Sequence, residues 1–166
     1  MYRSIIWLGV LISSMTACTA DMADNSDEAT TQIVAASTGT CSYTIKRDKI
    51  TVVKGEGGAD PALELDVDTS VEHNGTSSTV NFNGTIKSGA SNGTDVTIFS
   101  ATVTSGTLVT HDWDIDATEF DTFDADDHGT GGGTLVFTCS GTSSQTDSDQ
   151  VSLGNAIIDV QVRASW

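Results

Sequence analysis

The chain is poor in positive charge. Seven lysines and arginines stand against 23 aspartates and glutamates in 166 residues, and none lies between Lys87 and Arg163. A net charge of −16 repels phosphate backbones and anionic headgroups, which excludes nucleic acid as a partner. Proline occurs once, and no apolar run is long enough for a membrane-spanning helix. There is no G-x-S-x-G elbow and no P-loop lysine. His73, His111 and His128 are the only histidines, and nothing near them completes a zinc motif. Carboxylates abound, but abundance alone is poor ground for catalysis, and the expectation is that this is not an enzyme.

What is present begins with an address. Met1-Tyr2-Arg3 is a short positive start, and Ile5-Ile6-Trp7-Leu8-Gly9-Val10-Leu11-Ile12 is an apolar stretch of signal-peptide length. Met15-Thr16-Ala17-Cys18 then resembles a bacterial lipobox, with Met15 where that family favours leucine. The resemblance implies a signal peptide over 1–17, a lipidated Cys18 and a partnership with the membrane through that anchor. Residues 18–36 are small and acidic and read as a flexible tether. Thr19 after the cysteine, by resemblance to Gram-negative lipoproteins, implies the outer membrane of a bacterial cell envelope. An ordinary secretory signal cut near Ala17 or Ala20 is the competing reading.

Residues 37–166 are expected to form a single domain. Sixteen glycines, abundant Thr, Ser and Val, and short apolar alternations argue for strands joined by tight turns. Cys41, Tyr43 and Ile45 share one phase, as do Leu63, Leu65 and Val67; Val80 and Phe82; Val109, His111, Trp113 and Ile115; Leu135, Phe137 and Cys139; and Ile158, Val160 and Val162. Such spacing predicts an all-β fold, an antiparallel sandwich of seven to eight strands. Cys41 and Cys139 both fall on inward phases, and in an oxidising envelope they are expected to pair as one disulfide. Asn-Gly at 74, 83 and 92 predicts three hairpin turns.

Two strands carry ladders of carboxylates: Glu64, Asp66 and Asp68 on one, and Asp112, Asp114 and Asp116 on the other. Paired side by side they would repel each other, and bound cations would relieve the strain. The expectation is that the strands sit apart, each ladder a solvated face. The densest acidic stretch is Phe123-Asp124-Ala125-Asp126-Asp127-His128, followed by a glycine run that is expected to hold no regular element. It fails as an EF-hand, because position five is His128 and position twelve is Leu135. Gly57-Gly58-Ala59-Asp60-Pro61-Ala62-Leu63, together with Phe123-Asp124-Ala125-Asp126 and Asp121 upstream, resembles the paired loops of C2-type calcium-binding sandwiches.

That resemblance implies calcium as a cofactor, bound by Asp60, Asp121, Asp124, Asp126 and Asp127, with carbonyls of the glycine run completing the shell. The functional expectation is a non-catalytic, calcium-dependent binding or adhesion module whose partner is an extracellular protein or glycan. Two alternatives stand beside it. One is a structural surface or assembly protein with a salt-adapted acidic surface, which would need an unpaired edge strand. The other is a small carbohydrate-active module built around Trp113, whose inward phase counts against it.

Overall fold

The computed structural model of the protein describes residues 39–55, 62–92, 95–120 and 125–166. Cys18 with the segments on either side of it lies outside them, as do Asp60, Asp121 and Asp124. Ala35–Trp166 forms one compact unit. Its described part contains strands and turns and no helix: β1 (Thr40–Lys54), β2 (Ala62–His73), β3 (Thr76–Lys87), β4 (Ser91–Asn92), β5 (Val96–Thr104), β6 (Thr107–Glu119), β7 (Asp127–Cys139), β8 (Ser144–Leu153) and β9 (Ala156–Ser165).

The strands form two antiparallel sheets, the sandwich that the alternation predicts. One has four strands in the order β3-β2-β6-β7. The other runs β4-β1-β9-β8, with β5 pairing the first half of β1 where β4 pairs the second. Inward phases from both sheets meet in one core of Ile45, Val52, Leu65, Val67, Trp113, Leu135, Ile158 and Val160. The disulfide Cys41–Cys139 ties β1 to β7, and so one sheet to the other, closing a loop of sequence separation 98. In the chain-entropy account such a loop stabilises the fold by about 4.7 kcal/mol.

Ile45 and Ile50 look like the ends of separate runs in the sequence, yet both belong to β1. A bulge between Arg47 and Lys49 shifts the phase, so Ile50 and Val52 still point inward. Ahead of the bulge, Arg47 keeps the phase of Cys41, Tyr43 and Ile45 and faces the core, 1% exposed. The Asn-Gly turns are realised unevenly. Asn74-Gly75 is a hairpin turn with positive φ at both residues, 52° and 75°. Asn83-Gly84 is no turn: it lies inside β3, with Gly84 opposite Leu65 in an unbroken ladder. The alternation of Val80, Phe82 and Ile86 around it outweighs the local turn preference. Asn92 lies in β4, and its glycine is outside the described residues.

The glycine run is a second correction, since Gly129, Gly131, Gly132 and Gly133 all lie within β7. Gly129, Gly131 and Gly133 are there because β8 of the opposite sheet comes close, and Gly132 because the Trp113 backbone of β6 does. A Cβ on Gly129 would sit 2.5 Å from the Ser152 carbonyl oxygen, and one on Gly131 2.6 Å from Asp149 Oδ2. Only hydrogen fits in that seam. The room so gained admits two carboxylates from β8: Trp113 Nε1 donates to Asp147 Oδ2 at 3.0 Å, and the Gly132 amide donates to Asp149 Oδ2 at 2.9 Å.

Candidate functional site

The two carboxylate ladders are neighbours. β2 pairs with β6, and Asp68 stands directly opposite Asp116, with Ser70 opposite Asp114 and Asp66 opposite Thr118. This reverses the expectation that the strands sit apart, because strand order is a tertiary property that local alternation does not encode. The Phe120 amide donates to the Glu64 carbonyl, so even-numbered residues of β2 bond β6. Asp68 and Asp116 therefore form a hydrogen-bonded pair, in which facing Cα atoms lie about 5.5 Å apart. Like charges placed so cost the sheet stability.

Cross-strand rows complete the face. Asn81, Asp68, Asp116 and Thr130 form one row, and Thr79, Ser70, Asp114 and Gly132 the next. Asp68, Ser70, Thr79, Asp114, Asp116 and Thr130 of these rows line an open depression of about 610 Å³ on the solvent side of the four-stranded sheet. No lysine or arginine stands in these rows. Neighbouring hydrogen-bond donors offset some of the negative charge. Asn81 Nδ2 bridges Asp66 Oδ1 and Asp68 Oδ1, the second at 2.9 Å. His128 Nε2 donates to Asp116 Oδ1 at 2.7 Å, and Thr134 Oγ1 to Asp112 Oδ1 at 2.8 Å.

One cation lies on the other side of the sheet. The buried Arg47 guanidinium reaches from β1 to the carbonyls of Val67, Val80 and Asn81, each at 3.4 Å, and lies 5.9 Å from the centre of the Phe82 ring. Burial pushes its pKa down and Asp68 pushes it back up. An arginine keeps its charge in such a place, so a positive group sits beneath the acidic face and offsets part of its repulsion. The inward direction of Arg47 continues the phase of Cys41, Tyr43 and Ile45, although nothing in the sequence marks its charge for this role.

The predicted calcium loop fares differently. Asp60, Asp121 and Asp124 lie outside the described residues. Asp126 is exposed. Asp127 opens β7, and its carboxylate lies against Gly154 in the β8–β9 turn. Gly129 to Gly133 pair with β6 across Ala117 to Trp113. The glycine carbonyls expected to complete a calcium shell are therefore placed in a strand ladder. Among the described residues, no three His, Cys, Asp or Glu side chains converge to hold a metal ion.

Trp113 is 1% exposed, and Trp166 stacks on Phe137 with centroids 4.4 Å apart. Neither offers the open aromatic plane that a glycan platform needs. His111 is buried, as its phase predicts. Its Nδ1 donates to the Glu72 carbonyl at 3.1 Å, so Nε2 accepts from the Tyr43 hydroxyl at 2.8 Å. Burial is the first cause that lowers its pKa; the neighbouring His73 adds to the effect, while the Glu72 carbonyl and Asp112 oppose it.

No protein-family model matches the chain, and no curated protein matches it. Among solved structures it is similar to a C2 domain protein from Ramazzottius varieornatus, at 11% identity over 78% of this chain and 91% of that one, with a TM-score of 0.38. It is also similar to a C2 domain of plant Extended Synaptotagmin 1, at 9% identity over 74% and 92% of the two chains, with a TM-score of 0.32. Neither family nor function follows from likenesses at this level.

Proposed function

We propose that this chain is a non-catalytic binding module, displayed from a bacterial envelope by a lipid on Cys18, that works through the acidic face of its four-stranded sheet. The observation that carries the reading is Asp68 opposite Asp116, with Asp114 beside them lining the same open depression and Asp66 next along β2. Repulsion between facing carboxylates is relieved by a bound cation. Calcium takes six to eight oxygens and accepts monodentate carboxylates, waters and foreign ligands together. A shell only partly supplied by this face leaves positions for a partner's oxygens, which would make the contact with that partner calcium-dependent.

The test is calorimetric titration of calcium into Ala35–Trp166 after chelator treatment, with magnesium as the control. Saturable calcium-specific heat that disappears in Asp68→Asn/Asp116→Asn and persists in Asp124→Asn/Asp126→Asn supports the face. The reverse pattern moves the site to the 121–127 segment, and no heat in any form removes calcium from the account. Anchoring is tested separately by labelled-lipid incorporation, which Cys18→Ser should abolish.

A further inference from the structure

The four edges of the sandwich are not treated alike. β7 has its outward Gly132 amide capped by Asp149, and β8 carries Asp147 and Asp149 pointing inward across the seam. β5 carries a bulge at Ile98, where the register with β1 skips a residue between Phe99 and Thr97. These are the devices by which edge strands avoid pairing with other chains. β3 has no bulge and, among the described residues, no carboxylate on its outward backbone, although Arg47 donates to its Asn81 carbonyl. It pairs with β2 in twelve consecutive positions without a shift, and among the described residues no other strand pairs with it.

The direction of its free groups follows from the ladder. Even-numbered residues of β2 bond β6, so odd-numbered ones bond the even-numbered residues of β3. The amides and carbonyls of Ser77, Thr79, Asn81, Asn83 and Thr85 therefore point outward from the sheet, the Asn81 carbonyl also accepting from Arg47 at 3.4 Å and keeping one lone pair open. The side chains of these five are exposed, and none is charged. From Thr76 to Ile86 there is no Asp, Glu, Lys or Arg, in a chain of net charge −16.

The geometry points to a second copy of this chain as the occupant of that edge, with β3 pairing antiparallel to β3 across a two-fold axis at Asn81. The two four-stranded sheets then form one continuous eight-stranded sheet. Asn81 faces its own copy, Thr79 faces Asn83, and Ser77 faces Thr85, so every cross-strand pair on the outer face joins neutral hydrogen-bonding side chains. The half-buried Val80 and Phe82 come opposite each other on the inner face, each gaining cover. Charge decides for this edge. The β2 ladders of the two copies are kept three strand spacings apart, about 14 Å. Screening at physiological salt acts over about 8 Å, so β3 serves as a neutral spacer between surfaces that would otherwise repel. The inference does not depend on calcium.

Sedimentation equilibrium of Ala35–Trp166 in chelator, over roughly 10 μM to 1 mM protein at about 0.15 M salt, tests it. The expected result is a monomer–dimer equilibrium that tightens as salt is raised. Asn81→Lys and, independently, Thr79→Lys should each weaken it at least tenfold, while Gln150→Lys on β8 leaves it unchanged. A lysine at 81 still meets Asp66 and Asp68, so the fold is retained, and an unchanged far-ultraviolet spectrum verifies this. Hydrogen exchange supplies an independent readout: in the dimer the amides at 77, 79, 81, 83 and 85 become slow, matching their even-numbered neighbours. A monomer throughout the range overturns the proposal, as does a dimer indifferent to both lysines. So does protection of those five amides only when a strand from another protein is added.

Discussion

Replacing Gly132 by alanine tests the close packing of the glycine run, here against the backbone of β6. Gly132 sits at φ +155°, and a Cβ there would collide with the Trp113 carbonyl oxygen and lie 3.1 Å from the Asp114 Cα. Both obstacles are backbone, so neither can swing aside. Holding an L-residue in that region costs roughly 1–3 kcal/mol, and forcing a methyl group into filled space typically costs about the same again. Loss of unfolded-chain freedom returns roughly 0.4–1 kcal/mol. The net expectation is a destabilisation of about 3 kcal/mol, or a fall in melting temperature of about 10 °C for a domain of this size. Differential scanning calorimetry at neutral pH measures it. Gly84→Ala is the control: its Cβ meets only the Phe82 ring, at 3.3 Å, and φ there is not positive. That variant should stay within about 0.5 kcal/mol of the parent. If Gly132→Ala melts alongside Gly84→Ala, the close approach of the β6 backbone to Gly132 is wrong.

Further outcomes follow from the same geometry. Asp68→Asn/Asp116→Asn should raise stability by up to about 1 kcal/mol in low salt without divalent cations, and the gain should vanish near 1 M salt; urea titrations at both ionic strengths decide this. Reducing Cys41–Cys139 should cost about 4–5 kcal/mol, measured as the shift of the urea midpoint with and without reductant. His111 has its pKa lowered by burial, so the unfolded chain binds its proton more readily than the folded one. Stability is therefore full above the ordinary value of 6.5 and falls as pH drops below it, with a slope of at most about 1.4 kcal/mol per pH unit. His111→Gln should flatten that slope between pH 7 and 5; an unchanged slope assigns it to other groups.

Much of the fold was legible because half-buried strands write their inward phase into every second residue. Cys41, Trp113, Leu135 and Val160 all face the core from that signal alone, and the disulfide followed from two inward cysteines. β8 was not legible. Gln145, Asp147 and Asp149 occupy its inward positions, so no apolar alternation marks that half of the strand, and the glycines of β7 across the seam make room for the carboxylates. Those same glycines read as a breaker, since the local preference of glycine for turns says nothing of a strand approaching from the opposite sheet. The acidic face was half legible: both ladders were visible, but their adjacency depends on β2 pairing with β6. Arg47 lies on the inward phase of Cys41, Tyr43 and Ile45, but its charge ends the apolar run and hides that continuation.

If cations load the outer face of the four-stranded sheet, amide chemical shifts will report it residue by residue. The measurement is a calcium titration of isotope-labelled Ala35–Trp166 followed by amide correlation spectra. Saturable shifts centred on Asp66, Asp68, Asp114, Asp116 and Thr130, with little change around Asp126 and Asp127, are the expected result. Shifts confined to the 121–127 segment, or the same diffuse drift with calcium and magnesium, would contradict it.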